Sequence, residues 1–466
     1  MLTLHESATW RDCGGTSRRE FLRVGALGLG GWSLAHLLAA NARGAPLEGA
    51  YRGKSVVLVF LCGGASHIET FDPKMSAPAE FRSVTGELPT AIPGVTFGGT
   101  FPGLAARAGR LAVVRSFAPH AISDHAQAIK HVLTSGDAEG TSIGARFARL
   151  RGASHPQRGM PSYATLIEQQ EVDSQYQEDR DRMNVGSRSG ALGPRYAPFA
   201  PGSGEGLNAD MQLDLPADRF HDRRRLLQEI DRVQRRFEQW DQSGTLQAID
   251  EFRRQAYEVL LGGSVRQALD VSREDPRIVA RYDTSGFQVG WLKKRPSTLG
   301  RRLLLARRLC QAGCGFVTVG SAGWDNHANA NHPNVYRGMH LLGGPLDRAL
   351  SAFLDDVHEQ GLADDILLVV TSEFGRTPKI DRNGGRDHWP GLDVLVFSGG
   401  GLPGGVVIGE STSRAEEPKS RPLGYDDLLG TLWHTLFDVG TLRLRTDLPR
   451  SLQDELARVR PIPQLQ

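Results

Sequence analysis

The sequence predicts an α/β protein: a three-layer α/β/α sandwich around a mostly parallel sheet. Five short apolar runs rich in β-branched residues read as strands buried on both faces: residues 55–62 (SVVLVFLC), 111–115 (LAVVR), 315–319 (GFVTV), 365–371 (DILLVVT) and 392–398 (LDVLVFS). Helical patterns separate or flank them, at about 124–134, 298–312, 334–360 and 425–437, and this alternation implies a parallel sheet with helices on both faces. His67, His125, Asp325, His327, Glu373 and His388 nearly all follow such runs. In an open parallel sheet the loops leaving the carboxyl ends of the strands gather at one edge, so ligands far apart in sequence can meet there.

With 466 residues the chain can form one large α/β domain with insertions or two ordinary domains. Its 39% hydrophobic and 23% charged residues exclude a generally disordered chain. A net charge of +2 gives no basic field, so no nucleic-acid partner is expected.

Ser17-Arg18-Arg19-Glu20-Phe21-Leu22 precedes a Gly-rich apolar stretch from Val24 to about Ala40, with small residues at Ala40, Ala42 and Ala45. A twin-arginine pair in this setting is an export address, so residues 1–45 are expected to be a signal peptide and 46–466 a periplasmic or extracellular body. A retained amino-terminal anchor is the alternative, and no later run has membrane-spanning length. Cys13, Cys62, Cys310 and Cys314 form no Cys-x-x-Cys spacing, so neither a cysteine zinc site nor a disulfide framework is expected.

The strand–helix rhythm breaks between 150 and 300. Residues 168–206 are polar and aperiodic, and 218–261 carry an amphipathic stripe of Leu226, Leu227, Ile230, Val233 and Phe237. The stretch 150–300 is expected to be a helical or irregular insertion, or a cap on the α/β core.

The first strand opens into Gly63-Gly64-Ala65-Ser66-His67-Ile68-Glu69-Thr70-Phe71-Asp72, which offers His67, Glu69 and Asp72 as metal ligands beside a tight turn. The second leads through Ser123 and Asp124, either a suitable helix N-cap, to His125. His125 either begins that helix or stands beside an anion or metal at its positive end. After the third, Asp325 and His327 alternate along extended backbone, so an oxygen and a nitrogen can reach one cation. Mixed ligands suit a divalent metal such as zinc or manganese better than calcium. The fourth delivers Glu373, a further ligand candidate, and Arg376, whose planar guanidinium can grip an oxyanion. His388 follows, with Asp387 placed to orient the loop.

The motifs GGASHIETFDPK, the segment from His125 to Gly136, GWDNHAN, TSEFGRTPK and GRDHWPG resemble an uncharacterised twin-arginine-exported bacterial family of the alkaline phosphatase-like (sulfatase-like) superfamily. The resemblance implies an alkaline phosphatase-like core and one or two metal ions used to hydrolyse phosphate or sulfate esters. His388 is similar to the superfamily's late His ligand, and Asp325 with His327 to its paired Asp and His. Phe374 stands where a ligand His would follow Glu373, Gly63 where many relatives have a metal-binding Asp, and Ala126 follows His125 near the helix start that should carry the nucleophile.

The expected function is therefore an exported metal-dependent hydrolase acting on small-molecule or polysaccharide esters. A water on the metal would replace the missing side-chain nucleophile, with Arg376, Ser123 and His125 as catalytic candidates. The alternative is a catalytically degraded protein that binds sulfated or phosphorylated glycans or a cell-surface partner, using aromatics such as Trp324 and Trp389. A redox enzyme lacks its dinucleotide fingerprint.

Overall fold

A computed structural model describes residues 49–168, 174–201 and 263–466. The expected export segment and the amphipathic stretch 218–261 lie outside the described residues.

Seven strands make the central sheet: β1 (Ser55–Leu61), β2 (Ala112–Val114), β3 (Tyr163–Leu166), β4 (Phe316–Ser321), β5 (Ile366–Ser372), β6 (Leu395–Gly399) and β7 (Val406–Ile408). From one edge to the other they run β7, β2, β6, β5, β1, β4, β3. β4 and β5 flank β1 in parallel, β3 is parallel to β4, and β7 is parallel to β2. Only β6 is reversed, antiparallel to both β5 and β2. The sheet is thus mostly parallel, as the sequence predicts.

The period-2 geometry of a strand sends alternate side chains to opposite faces. Val57, Val59 and Leu61 enter one core with Leu303, Leu346 and Phe353, while Val56, Leu58 and Phe60 enter another with Ile129, Phe147 and Trp433. The helices divide accordingly. Helices α1 (His125–Leu133), α2 (Ile143–Arg151) and α3 (Ser174–Gly186) lie on one face, and α4 (Leu299–Gln311) and α5 (Val335–Glu359) on the other. Helices α6 (Tyr425–Leu436) and α7 (Arg450–Arg458) complete the first face. The result is a three-layer α/β/α sandwich.

Two strands escape the sequence reading. β7 is only 3 residues long, and β3, with 4 residues, lies inside the stretch expected to be an insertion. β3 nevertheless pairs with β4 through Tyr163–Leu166, so the sheet extends into the 150–300 span. The expected aperiodic excursion also contains α3. Its sequence is largely polar, and it is anchored by a few buried side chains, Tyr176, Asp179 and Met183, with Met183 in the core beneath α1 and α2.

Among the described residues no helix is long and apolar enough to cross a membrane. Among the described residues Cys62, Cys310 and Cys314 are buried free thiols.

Candidate metal centre

β1, β4 and β5 are neighbours and end at the same edge. Gly63 is the residue that lets two of their exit loops touch. Its φ is +108°, and a Cβ there would lie 2.7 Å from the backbone nitrogens of both Trp324 and Asp325. Only glycine tolerates both that backbone conformation and that approach. The close contact sets Asp325 at the centre of the strand ends.

Asp325 is only 5% exposed. Its Oδ1 lies 2.8 Å from His327 Nε2, 3.5 Å from His388 Nε2 and 2.5 Å from Arg376 Nη2. Its Oδ2 lies 3.4 Å from His125 Nε2 and 2.9 Å from His332 Nδ1. Burial opposes the charge of this carboxylate, but Arg376 and the three imidazoles of His125, His327 and His332 outweigh burial and hold its pKa far below the usual range. One ligand atom from each of His125, Asp325, His327 and His388 lies within 4.8 Å of every other.

The far nitrogens of these rings fix what the near ones can do. His125 Nδ1 lies 2.8 Å from Glu373 Oε1, His327 Nδ1 2.9 Å from Asp387 Oδ1, and His388 Nδ1 2.6 Å from the Ser123 carbonyl oxygen. Carboxylates and carbonyls only accept, so all three Nδ1 atoms carry the proton. In a neutral ring each Nε2 is then a lone pair facing Asp325, that of His327 also 3.3 Å from Arg376 Nη1. His327 Nε2 and His388 Nε2 stand 2.9 Å apart, and His125 Nε2 is buried without a hydrogen-bond partner. Lone pairs gathered around a carboxylate repel unless a cation or a proton sits among them. The site thus fits a divalent metal held by imidazole nitrogen and carboxylate oxygen, with each histidine fixed from behind by an acceptor. Without a metal, a proton takes that role at His125: burial lowers its pKa, but Asp325 and Glu373 raise it to about 9.

The other expected ligands are placed elsewhere. Glu373, fully buried, turns Oε1 to Gly63 N and to His125, so it orients the His125 ring. Glu69 is consumed by Arg386, Ser83 and the amide of Val84. Asp72 binds Ser411, Lys74 and Arg115. His67 donates from Nε2 to the Ala415 carbonyl, and burial lowers its pKa to about 4. None of these three side chains belongs to the cluster: His67 and Glu69 lie on a short helix, His67–Thr70, that follows the turn after Gly64, and Asp72 lies just beyond its end.

The catalytic expectations change as well. Arg376 is 1% exposed and its donors all meet protein acceptors: Gly64 O from Nε, Arg386 O and His327 Nε2 from Nη1, and Gly63 O and Asp325 from Nη2. It braces Asp325 and has no N–H left for a substrate oxyanion. Ser123 contributes its carbonyl rather than its hydroxyl, and Asp124 is the N-cap of α1, accepting from Gln127 N at 2.9 Å.

Two residues beyond the sequence reading join the site. His332 reaches Asp325 from five positions past His327, in the run HANANH, whose length is compatible with a return to the same carboxylate. Asp179 comes from α3 and accepts from Gly323 N at 3.1 Å, in the loop that carries Asp325. Burial, and after it the Glu373 carboxylate, raise the Asp179 pKa to about 7. Nothing in its polar surroundings in sequence marks it out.

Several solved structures are similar to the chain. They include the lipoteichoic acid synthase LtaP from Listeria monocytogenes, at 10% identity and TM-score 0.34, covering 88% of this chain and 76% of that one. Another is the integral membrane lipooligosaccharide phosphoethanolamine transferase EptA from Neisseria meningitidis, at 10% identity and TM-score 0.37, covering 95% and 68%. A third is the PsFucS1 sulfatase from Pseudoalteromonas sp., at 11% identity and TM-score 0.32, covering 82% and 68%. No curated protein matches the sequence. The family described as "Protein of unknown function (DUF1501)" matches residues 53–454, which span both the sheet and every residue of the Asp325 cluster, and the chain belongs to it.

Proposed function

We propose that the protein is an exported metal-dependent hydrolase of phosphate or sulfate esters, built on an alkaline phosphatase-like core. The observation that carries this reading is the set of three imidazoles whose Nδ1 protons are tied back, leaving their Nε2 atoms facing one buried carboxylate. His125, Asp325, His327 and His388 would hold the ion, with zinc or manganese suited to such ligands. A divalent metal bound there would polarise an ester oxygen and activate water near neutral pH.

The chain's own residues supply position and charge. Glu373, Asp387 and the Ser123 carbonyl keep the rings in one tautomer, and Arg376 fixes Asp325 from behind. Trp389 borders His388 on the short ribbon that pairs Gly375–Arg376 with His388–Trp389. The expected result is hydrolysis of a phosphate or sulfate ester by protein loaded with one of zinc, manganese, magnesium or calcium, and loss of that turnover in His388→Ala. No hydrolysis of any ester with any of the four metals would contradict it.

One observation favours a second reading. Every N–H of Arg376 is engaged by the protein, and Ser123 meets His388 through its carbonyl oxygen. A metal-bearing protein that binds sulfated or phosphorylated glycans without cleaving them meets that geometry too. Retained glycan binding with no turnover distinguishes it.

A further inference from the structure

The opposite end of the sheet carries a second polar cavity. Lys54 immediately precedes β1, and Gly400 to Leu402 follow β6, which runs against its neighbours and so ends beside their starts. Together with Arg52, with His434 on α6 and with Arg460 after α7, they line a cavity of about 460 Å³. β1 has 7 residues, so at about 3.3 Å per residue the two sites are separated by roughly 20 Å of strand.

The lining is cationic on balance. Arg52, Lys54 and Arg460 contribute three positive charges, Arg460 with Nη1 donated to the carbonyls of Ala457, Arg458 and Val459, and the carboxylate of Gln466 contributes one negative charge, while among the described residues no Asp or Glu side chain lines the cavity. The nearby carboxylate of Asp438 is already the N-cap of the short helix Val439–Arg443, accepting from Thr441 N and Oγ1. Arg52 makes no side-chain hydrogen bond with the described residues, although its charge acts on the Asp438 carboxylate, and Lys54 uses one N–H on the Gly400 carbonyl, at 2.6 Å, leaving two. His434 Nε2 is buried without a partner. Like charges converge here at an energetic cost, which an anion bound among them would offset. Guanidinium groups pair with tetrahedral oxyanions in two-point fashion, and lysine supplies a point charge.

We propose that this cavity binds a phosphate-type oxyanion, separately from the metal-type cluster. The group can belong to free inorganic phosphate or to a phospholipid headgroup. The test uses the full chain carrying His388→Ala, which is expected to empty the first site so that only the second is read. One arm measures equilibrium dialysis of inorganic phosphate, and the other co-sedimentation with phosphatidylcholine vesicles with and without phosphatidylglycerol, both at one fixed low salt concentration.

Saturable binding is expected in at least one arm, weakened about tenfold by Arg52→Ala and further by adding Lys54→Gln, as loss of charge-assisted hydrogen bonds implies. A positive phosphate arm identifies a soluble ligand, and binding confined to phosphatidylglycerol vesicles identifies the headgroup. Arg52 is exposed and makes no side-chain hydrogen bond with the described residues, and circular dichroism checks that its replacement leaves the fold intact. Absence of saturable binding in both arms, or equal binding by parent and variants, would overturn the proposal.

Discussion

Asp325→Asn is expected to abolish stoichiometric metal binding and to destabilise the metal-free protein. An amide in place of the carboxylate removes the one anionic ligand that touches the ligand nitrogens of His125, His327 and His388. It also leaves the guanidinium of Arg376, 1% exposed, without its buried counter-charge. Removing one partner of a buried ion pair costs about 3–5 kcal/mol. The carbonyls of Gly63, Gly64 and Arg386 still accept from Arg376, which places the expected loss at the lower end. Asp387→Asn should be milder. It touches only the outer nitrogen of His327, and loss of such an orienting partner lowers metal affinity by about 10–100-fold. Metal titration followed by denaturant unfolding of both variants checks the ranking, and equal effects would mean that Asp325 is not the centre of the site.

Asp179→Asn is expected to stabilise the metal-stripped protein at alkaline pH and to do much less under acidic conditions. Burial first, and the Glu373 carboxylate second, raise the Asp179 pKa from its ordinary 3.8 to about 7. The folded chain therefore holds a proton that the unfolded chain releases. The corresponding stability is fully present below the unfolded pKa and is lost as pH rises through about 7. Between roughly pH 5 and roughly pH 8 the loss is on the order of 2–3 kcal/mol. An asparagine carries no such proton and can still accept from Gly323 N. Unfolding curves for parent and variant at both pH values test this, and parallel pH dependences would show that Asp179 ionises normally. Bound metal lowers the cost of a charged Asp179, so the difference should shrink in the loaded protein.

The sheet was legible because strands buried on both faces cannot hide: β1 and β5 are unbroken apolar runs in the sequence, and both are buried along their whole length. β3 and β7 were not, because 3 or 4 residues at a sheet edge leave too short a run to separate from loop. α3 was missed for a different reason, since a few buried anchors in a polar segment give no periodic stripe. At the site, Asp325, His327 and His388 stood out by chemistry and by their place after strands, and the topology brings them together. Residue type alone could not separate a ligand from a brace. Glu69 and Asp72 have the right chemistry, yet their carboxylates serve Arg386, Ser83, Ser411 and Lys74. Arg376 looked like a substrate clamp until the geometry showed every N–H engaged. That distinction depends on the side chain's direction, which neighbouring loops set.

Elemental analysis of the purified full chain, taken before and after dialysis against a chelator, reads directly whether the Asp325 cluster holds a metal ion. At least one zinc or manganese ion per chain is expected, lost when His388→Ala removes the Nε2 that faces His327. Protein that carries no divalent metal, and takes none up when titrated with either ion, would contradict it.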